Sequence, residues 1–596
     1  MRLFTTRPEL AGAFGMVAST HWLASQAGMA VLEKGGNAFD AAVAAGFVLQ
    51  VVEPHLNGPA GEVPIIGWDA RGDRPFVVCG QGTAPELATI DAFRDLGLDL
   101  VPGTGPLAAC VPGAFGAWLL LLRDHGTLKP ADVMEYAVGY AENGFPVVSR
   151  IEQTVATVAD LFRDHWTTSA ELWLPNGAPP PAGTMFCNPE LAATYRRVLD
   201  EAAAAGSDRE AQIEAARAAF YEGFVAETLG EFVEKTAVMD VSGTPHTGLL
   251  RASDLASWRA SIEEPVAYDY HGHTVLKAGP WTQGPVFLQQ LALLADVDLA
   301  AYGPNSPEFV HVVTESAKLA FADREAYYGD PAFVDVPLDE LLSAGYNDER
   351  RRLVGDTADV GALRPGSPGG RTPRLAEITG RPVEGEEQGA VGEPTVRASG
   401  ETRGDTCHVD VVDRWGNMIS ATPSGGWLQS SPVVPGLGFP LGTRAQMFWL
   451  EEGLPGSLAP GKRPRSTLTP SFALRDGAPY LAFGTPGGDQ QDQWSLLLFL
   501  RHVHHGLNLQ EAIDAPAWHS AHFPSSFYPR AAEPGKLVVE DRLGEAAIEA
   551  LRERGHRVSV TDGWSLGRLS AVSRDAAGTL RAGANPRGMQ GYAVGR

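Results

Sequence analysis

Cysteine is scarce in this sequence, and basic residues form no long run. The four cysteines have no CxxC spacing, so the sequence predicts neither a disulfide framework nor a zinc site; they are Cys79, Cys110, Cys187 and Cys407. Lysine and arginine number 47 against 72 aspartates and glutamates, which gives a net charge of −25. Because no long basic run is available to neutralise phosphates, we predict that the chain binds neither nucleic acid nor anionic membranes.

Long apolar runs are also missing. No window reaches the roughly 18 apolar residues that a membrane-spanning helix requires. Near the N-terminus, Arg2 and Arg7 flank a short apolar stretch, and Glu9 follows directly, so we predict no signal peptide. We therefore expect a cytoplasmic protein, a location that also suits the few unpaired cysteines.

The pattern of apolar residues changes along the chain. With 44% hydrophobic and 20% charged residues, the composition is that of a globular protein. Residues 107–350 alternate helical patterns with short loops, and residues 41–52 form an earlier helix that Asn37 or Asp40 can cap. After residue 406, runs with period-two alternation predict strands mixed with a few helices. The sequence therefore predicts an α+β or α/β protein whose first half is mainly helical.

Between these halves lies a segment, residues 365–405, that is poor in apolar side chains. Nine of its residues are glycine, five are proline and none is aromatic. Such a composition buries too little surface to offset the entropy of the chain, so we predict that the segment is mobile. A segment of this length is either a linker between domains or a functional element.

The strand that follows this segment begins with a threonine. If Val412 faces Met418 in a hairpin, Thr406 lies opposite Ser424 at the far end of the two strands. Threonine forms strands well, so a structural role is one interpretation. The other interpretation is catalytic, because a peptide cut before Thr406 would make its own α-amine the base that activates its hydroxyl.

Several motifs make nearly the whole chain resemble the γ-glutamyltransferases, or glutathione hydrolases. They are GMVAS (15–19), GGNAFDAAVAA (35–45), VVEP (51–54), ESAKLAFADREAYYGDP (315–331), DTCHVDVVDRWGN (405–417), GKRPRSTLTP (461–470), FGTPGGD (483–489) and EAIDAPAW (511–518). The resemblance implies a self-processing N-terminal-nucleophile hydrolase with a four-layer αββα sandwich. It implies a large subunit, residues 1–405, and a small catalytic subunit, residues 406–596, which stay associated and can form a homo-oligomer. It implies no metal and no organic cofactor.

The resemblance also implies catalytic roles. Thr406 matches the nucleophile of the family, and Ser424 matches the second hydroxyl residue, which holds the amine. Gly487 and Gly488 match the pair whose backbone N–H groups form the oxyanion hole. Glycine suits that role, since the absence of a Cβ lets a substrate approach the amides closely.

Three substrate contacts of the family are replaced in this sequence. The arginine that binds the glutamyl α-carboxylate falls on Gln81, and the asparagine after the second hydroxyl falls on Gly426. The two aspartates near the α-amine fall on Phe448 and Trp449. Charge-assisted contacts of this kind are strong and difficult to replace. The turn after VVEP also departs from the family and reads NGPAGE, residues 57–62.

Other substrate-pocket positions are retained or open to two interpretations. Gln446 is kept. Ser466 and Thr467 match a Ser-Ser pair that contacts the substrate carboxylate, and an ordinary polar turn after Pro464 is the alternative. Arg444 either binds a carboxylate from another side or is a solvated loop arginine.

Two rival sites find less support in the residues. Residues 563–567 match the GxSxG motif of serine hydrolases around Ser565, yet neither a helix directly after the serine nor a later histidine is present. The cluster of His502, His504 and His505 lacks the carboxylate and the i, i+4 pairing of a zinc helix, so a solvated helix face is predicted.

The matches together predict an amidohydrolase or acyltransferase that acts on small-molecule amides. Its acyl donor is a γ-glutamyl amide such as glutathione, and its acceptor is water or an amine. One alternative is an acylase for another carboxyacyl amide, similar to cephalosporin acylases or oxamate amidohydrolases. A second alternative is a binding homologue that has kept the fold and lost the activity.

Overall fold

Helices account for most of the first half of the chain. The computed structural model describes residues 4–377 and 406–596. Over these residues the α-helices are α1 (Trp22–Glu33), α2 (Ala38–Val52), α3 (Ile90–Arg94), α4 (Ala114–His125), α5 (Pro130–Asn143), α6 (Ser149–Thr157), α7 (Ala159–Asp164), α8 (Thr167–Trp173), α9 (Pro189–Ala204), α10 (Arg209–Tyr221), α11 (Phe224–Lys235), α12 (Ala252–Ser257), α13 (Pro285–Leu294), α14 (Pro307–Tyr327), α15 (Leu338–Leu341), α16 (Ala344–Arg351), α17 (Gln491–His505), α18 (Leu509–Asp514) and α19 (Glu545–Glu553).

The strands come from both halves. They are β1 (Leu10–Gly12), β2 (Gly15–Ser19), β3 (Val63–Asp69), β4 (Arg74–Gly80), β5 (Phe145–Pro146), β6 (Met185–Phe186), β7 (Val238–Met239), β8 (Pro245–His246), β9 (Ser261–Glu263), β10 (Val266–Tyr270), β11 (His273–Lys277), β12 (Val409–Asp413), β13 (Met418–Ala421), β14 (Ser471–Arg475), β15 (Ala478–Gly484), β16 (Trp518–Ser520), β17 (Lys536–Glu540), β18 (Arg557–Thr561), β19 (Ser570–Arg574), β20 (Leu580–Ala584) and β21 (Tyr592–Gly595).

Two seven-stranded sheets stack on each other at the centre of the molecule. One has the order β1-β20-β19-β15-β14-β11-β10, and the other has the order β21-β2-β12-β13-β3-β4-β9. Apolar side chains from both sheets form a common buried core between them, among them Ile66, Val412, Met418, Leu276, Phe472 and Ala582. Each sheet therefore buries one face against the other.

Helices cover the two outer faces. Helices α1 and α2 pack on the sheet that contains β12, whereas α13, α17 and α18 pack on the sheet that contains β15. The predicted four-layer αββα sandwich is therefore confirmed. None of the described helices combines the length and the apolar character needed to cross a membrane.

The predicted hairpin and its register are confirmed. Val412 pairs with Met418 in the β12–β13 ladder, and Thr406 forms an isolated bridge with Ser424. The predicted helix at 41–52 begins three residues earlier, because the Asn37 side chain accepts hydrogen bonds from the backbone N–H groups at the start of α2 and forms a capping box with Asp40.

The Gly/Pro-rich segment is described only in its first part, residues 365–377. There the backbone N–H of Gly366 donates to Asp323 Oδ1 at 2.7 Å, and the Tyr327 hydroxyl donates to the Gly366 carbonyl at 2.7 Å. The segment is thus tied to α14 where it begins. Residues 378–405, which carry the rest of the predicted mobile segment and the residue before the predicted cut, lie outside the described residues.

Two helical glycines give a matched test of the packing. A Cβ on Gly46 in α2 would lie 2.4 Å from the ring of Trp118 in α4, whereas a Cβ on Gly139 in α5 would meet no atom within 4 Å. Alanine favours a helix over glycine by about 1 kcal/mol at either position. We expect Gly139→Ala to raise the melting temperature Tm. Gly46→Ala should lower Tm, because overpacking of this kind costs about 1–3 kcal/mol. Thermal unfolding of both variants measures the difference, and a rise in both would contradict this packing.

Candidate active site

Four neighbouring strands bring the predicted site residues into one row. Beyond the last pairs of the regular ladders, Thr406 bridges Ser424, and Ser424 bridges Glu62. On the next strand, β4, Gly80 pairs with Val63 of β3. Gln81 follows Gly80 and Glu62 precedes Val63, so Gln81 and Glu62 lie side by side. Residues that are far apart in the sequence therefore meet at one end of the β12 sheet.

The threonine is buried and held by its neighbours. Its hydroxyl donates to Ser424 Oγ at 3.2 Å, and its carbonyl accepts from Arg568 Nη2 at 3.1 Å. Both Thr406 and Ser424 are 1% exposed. The backbone N–H of Arg568 also donates to the Thr485 hydroxyl at 2.9 Å. Arg568 thus connects the threonine to the loop that follows β15.

That loop contains the glycine pair predicted to form the oxyanion hole. Gly487 and Gly488 have φ values of 127° and 52°, which favour glycine over other residues. A Cβ on Gly487 would lie 2.2 Å from the ring of Trp494. The backbone conformation of this turn therefore requires glycine. Hydrogen bonds through Thr485 and Arg568 link the turn to Thr406.

The predicted carboxylate-binding pair is buried next to the same turn. Ser466 accepts a backbone hydrogen bond from Gln283 at 2.9 Å, and the Gln283 amide donates to the Asp489 carbonyl at 3.2 Å. Both Ser466 and Thr467 are fully buried, and the backbone N–H of Leu468 donates to Ser466 Oγ at 3.2 Å, so both interpretations of the pair stay open. Among the described residues, the Thr467 hydroxyl has no hydrogen-bond partner.

Arg444 is buried, so its interpretation as a solvated loop arginine is wrong. It is 2% exposed and forms an ion pair with Glu62. Its Nη2 donates to Ser424 Oγ at 3.1 Å, and its guanidinium lies 5.3 Å from the centre of the Trp427 ring. A substrate carboxylate at Arg444 would have to compete with Glu62.

Glu62 belongs to the NGPAGE turn, residues 57–62, which packs closely on the strand end that carries Ser424. A Cβ on Gly61 would lie 2.1 Å from the carbonyl of Ser424, and a Cβ on Gly58 would lie 2.5 Å from the carbonyl of Gly426. The turn packs directly on the backbone next to the threonine, and its glycines permit this approach. Gly426 itself has a φ of 67°.

The remaining predicted pocket residues are also buried. The Gln81 amide donates to the Gly82 carbonyl at 3.1 Å, and within the described chain its Oε1 has no partner. Gln446 accepts from the backbone N–H of Tyr528 at 3.1 Å and donates to Gly103. Phe448 and Trp449 are 1% and 5% exposed. The binding roles of all these residues stay predictions.

Sequence reasoning missed a buried carboxylate on the other side of the threonine. Glu53 accepts from the Thr20 hydroxyl at 2.6 Å and from the Cys407 thiol at 3.0 Å. Burial raises the pKa of Glu53, and the nearby Arg568 opposes that rise. Glu53 belongs to the VVEP motif, which the sequence shows. The contact between Glu53 and Cys407 could be found only from the structure.

The rival sites do not assemble. The Ser565 hydroxyl donates to the Asp562 carbonyl at 2.6 Å, and strand β19 follows rather than a helix. His502 and His504 are hydrogen-bonded to Tyr480 and Tyr270. These histidines are half-buried rather than solvated, which corrects the predicted solvated helix face.

One cluster of described residues has the spacing of metal ligands, and two of its three members lie on α14. His311, Glu315 and His556 bring their ligand atoms within 4.8 Å of one another. His311 and His556 are hydrogen-bonded to each other at 2.9 Å, and Lys318 donates to Glu315 at 2.6 Å. The adjacent lysine ammonium opposes the binding of a cation there.

Comparison with known proteins identifies the family. The family model for gamma-glutamyltranspeptidase matches residues 24–595, which is nearly the whole chain. The chain belongs to the gamma-glutamyltranspeptidase family. It is therefore an N-terminal-nucleophile amidohydrolase, and the family assignment disfavours the inert binding homologue.

The names of its relatives describe several different activities. The chain is 31% identical to the glutathione hydrolase-like YwrD proenzyme of Bacillus subtilis (strain 168), over 97% of this chain and 98% of the relative. It is also 31% identical to the oxamate amidohydrolase proenzyme of Klebsiella pneumoniae, over 98% of each chain. The solved structure of LmbA2991HD is similar at 61% identity, with a TM-score of 0.94 and full coverage of both chains. The family is thus established, whereas the substrate is not.

The ion pair between Glu62 and Arg444 gives the first prediction for the site. Removing one partner of a buried pair leaves the other charge uncompensated and costs about 3–5 kcal/mol. We expect Glu62→Gln to lower Tm strongly, and the double variant Glu62→Gln/Arg444→Met to recover most of the loss. Glu135→Gln is the matched control, because Glu135 pairs with Lys34 on the surface and is 60% exposed. Equal Tm values for the single and double variants would argue against a coupled pair.

Proposed function

We propose that the chain is a threonine amidohydrolase or acyltransferase that becomes active when the peptide before Thr406 is cut. The observation that carries this proposal is the buried Thr406 hydroxyl, which donates to Ser424 on one strand end and is linked through Arg568 to the Gly487–Gly488 turn. Acyl transfer requires a nucleophile, a second hydroxyl and a pair of backbone N–H groups that can donate to the oxyanion.

In the cutting step, Thr406 Oγ1 attacks the carbonyl carbon of residue 405. The peptide C–N bond then breaks, and the Thr406 nitrogen takes up the proton from the hydroxyl and becomes the free α-amine. Water hydrolyses the resulting ester, which releases residue 405 as a carboxylate and restores the hydroxyl. In turnover, the α-amine accepts the hydroxyl proton while Oγ1 attacks the acyl carbonyl of the donor, and the N–H groups of Gly487 and Gly488 stabilise the oxyanion. The amine product leaves, and water or an amine acceptor takes the acyl group.

The proposed donor is a γ-glutamyl amide or a related carboxyacyl amide. The relatives named as a glutathione hydrolase-like proenzyme and an oxamate amidohydrolase proenzyme support this range. Within it, a carboxyacyl amide without an α-amino group is the second candidate. Buried Phe448 and Trp449 occupy the positions of the family's aspartates and offer no side-chain carboxylate to an α-ammonium.

Processing is the first test. We expect purified protein to resolve into two chains on a denaturing gel, and N-terminal sequencing of the smaller chain to begin Thr-Cys-His-Val. Thr406→Ala removes the nucleophile, so it should remain a single inactive chain. Thr406→Ser retains a hydroxyl and serves as the control, which should still be cut. Two chains from Thr406→Ala would mean that an outside protease makes the cut.

Substrate preference is the second test. A lost contact to a charged group costs about 1.5–3 kcal/mol. Two such losses lower kcat/KM for a γ-glutamyl donor by about two to four orders of magnitude below that of a donor whose contacts are intact. We expect processed enzyme to prefer glutaryl-p-nitroanilide, which has no α-amino group, over γ-glutamyl-p-nitroanilide. A strong preference for the γ-glutamyl compound would contradict a remodelled pocket.

A further inference from the structure

A buried cluster of charges lies directly behind the glycine turn. It contains three arginines and two carboxylates, namely Arg324, Arg465, Arg530, Glu325 and Asp489, and all five side chains are at least nine-tenths buried. Arg324 pairs with Asp489 at 2.5 Å and with Glu325 at 2.7 Å. Arg465 pairs with Glu325 at 2.8 Å. The two carboxylates therefore neutralise two of the three arginines.

Within the described part of the chain, Arg530 is the arginine of this cluster that has no carboxylate within ion-pair distance. It is 1% exposed, and its Nη2 donates to the Phe448 carbonyl at 3.0 Å. Its Nε and Nη1 have no acceptor among the residues that the structure describes. Burial, reinforced by the like charge of Arg465, lowers the pKa of Arg530 to about 9. A buried cation with two free donors is costly to the fold unless an anion completes it.

The position of Arg530 points to the substrate pocket. Its guanidinium lies 4.1 Å from the centre of the Trp449 ring, so it sits against a residue that replaces an aspartate of the family. In the same segment, the backbone N–H of Ser526 donates at 2.8 Å to Asp489, which directly follows Gly488. Tyr528 donates to Gln446. The segment thus bridges the loop that contains Gln446 and the glycine turn.

Two further donors near this segment are also unused. Within the described residues, Arg465 Nε and the Thr467 hydroxyl have no hydrogen-bond partner. Arg465 donates to the Ser526 hydroxyl at 2.9 Å and precedes Ser466, so these groups belong to the same wall of the site. Unused donors on a wall where three arginines face two carboxylates favour an anionic ligand group over a cationic one.

We propose that Arg530 binds the carboxylate of the acyl donor and makes the enzyme selective for carboxyacyl groups. The inference rests on the proposed amidohydrolase function and names its specificity residue. Arg444, the earlier candidate, already forms an ion pair with Glu62, whereas Arg530 forms none with the residues that the structure describes and keeps two donors free. The Arg530 guanidinium, which lies against Trp449, also repels an α-ammonium. This repulsion is consistent with the replacement of the family's ammonium-binding aspartates by Phe448 and Trp449.

The kinetic test compares two donors that differ only in charge. Glutaryl-p-nitroanilide carries the carboxylate, and pentanoyl-p-nitroanilide replaces it with a methyl group. We expect Arg530→Met to lower kcat/KM for the glutaryl donor by about 10- to 100-fold and to leave the pentanoyl donor within about 3-fold. Arg530→Lys retains the charge and should recover part of the loss. Arg475→Met, at an exposed arginine stacked on Tyr480, is the control and should change neither value.

A binding measurement separates this inference from the proposed function. Glutarate should raise the Tm of the processed wild-type enzyme, and pentanoate should not, because a ligand that binds only the folded state stabilises it. Arg530→Met should abolish the glutarate shift. If processed enzyme hydrolyses neither donor, the proposed function fails while the glutarate shift still reports on Arg530. An unchanged glutaryl-to-pentanoyl ratio in Arg530→Met, or a glutarate shift that persists in it, would overturn the inference.

Discussion

The hydrogen bond from the Thr406 hydroxyl to Ser424 is the contact on which the rest of the site depends. A threonine hydroxyl is a poor nucleophile unless its surroundings hold it next to a base. Here the register of the β12–β13 hairpin fixes the pair, and neighbouring strands extend the row to Glu62. The sheet is in turn buried between a second sheet and two helices. The position of this one hydroxyl therefore depends on a sheet that is buried on both faces.

Charge is distributed unequally around that hydroxyl. On one side, Arg444 is neutralised by Glu62 and holds Ser424, which is a structural use of an arginine. Behind the glycine turn, Arg530 lacks such a partner among the described residues. The same residue type thus serves two purposes, and the difference lies in whether a carboxylate from the chain reaches it. This distribution suits a donor that brings a carboxylate and no ammonium.

Part of this arrangement could be read from the sequence. The hairpin and the pairing of Thr406 with Ser424 follow from period-two alternation, because the register of two strands joined by a short loop is a local property. The glycine pair was found because its motif is contiguous. The start of α2 was misplaced by three residues, since Asn37 and Asp40 both resemble caps and only the structure shows them acting together.

The pairing of distant charges could not be read in this way. Glu62 and Arg444 are separated by 382 positions, and no local pattern links an NGPAGE turn to a later loop. Arg530 follows Pro529 in a stretch of serines and aromatic residues for which the sequence analysis predicted no role, and it is buried. Burial of a charged side chain is set by how loops fold over one another, which periodicity does not encode.

The most direct test of the account is to locate the acyl-enzyme. Processed enzyme would be mixed with glutaryl-p-nitroanilide, quenched in acid within one turnover, digested and analysed by mass spectrometry. The account predicts that the mass of one glutaryl group is carried by the peptide that begins with Thr406, and that hydroxylamine removes it. An acyl group on another residue, or a peptide that still carries residue 405 before Thr406 in active enzyme, would contradict it.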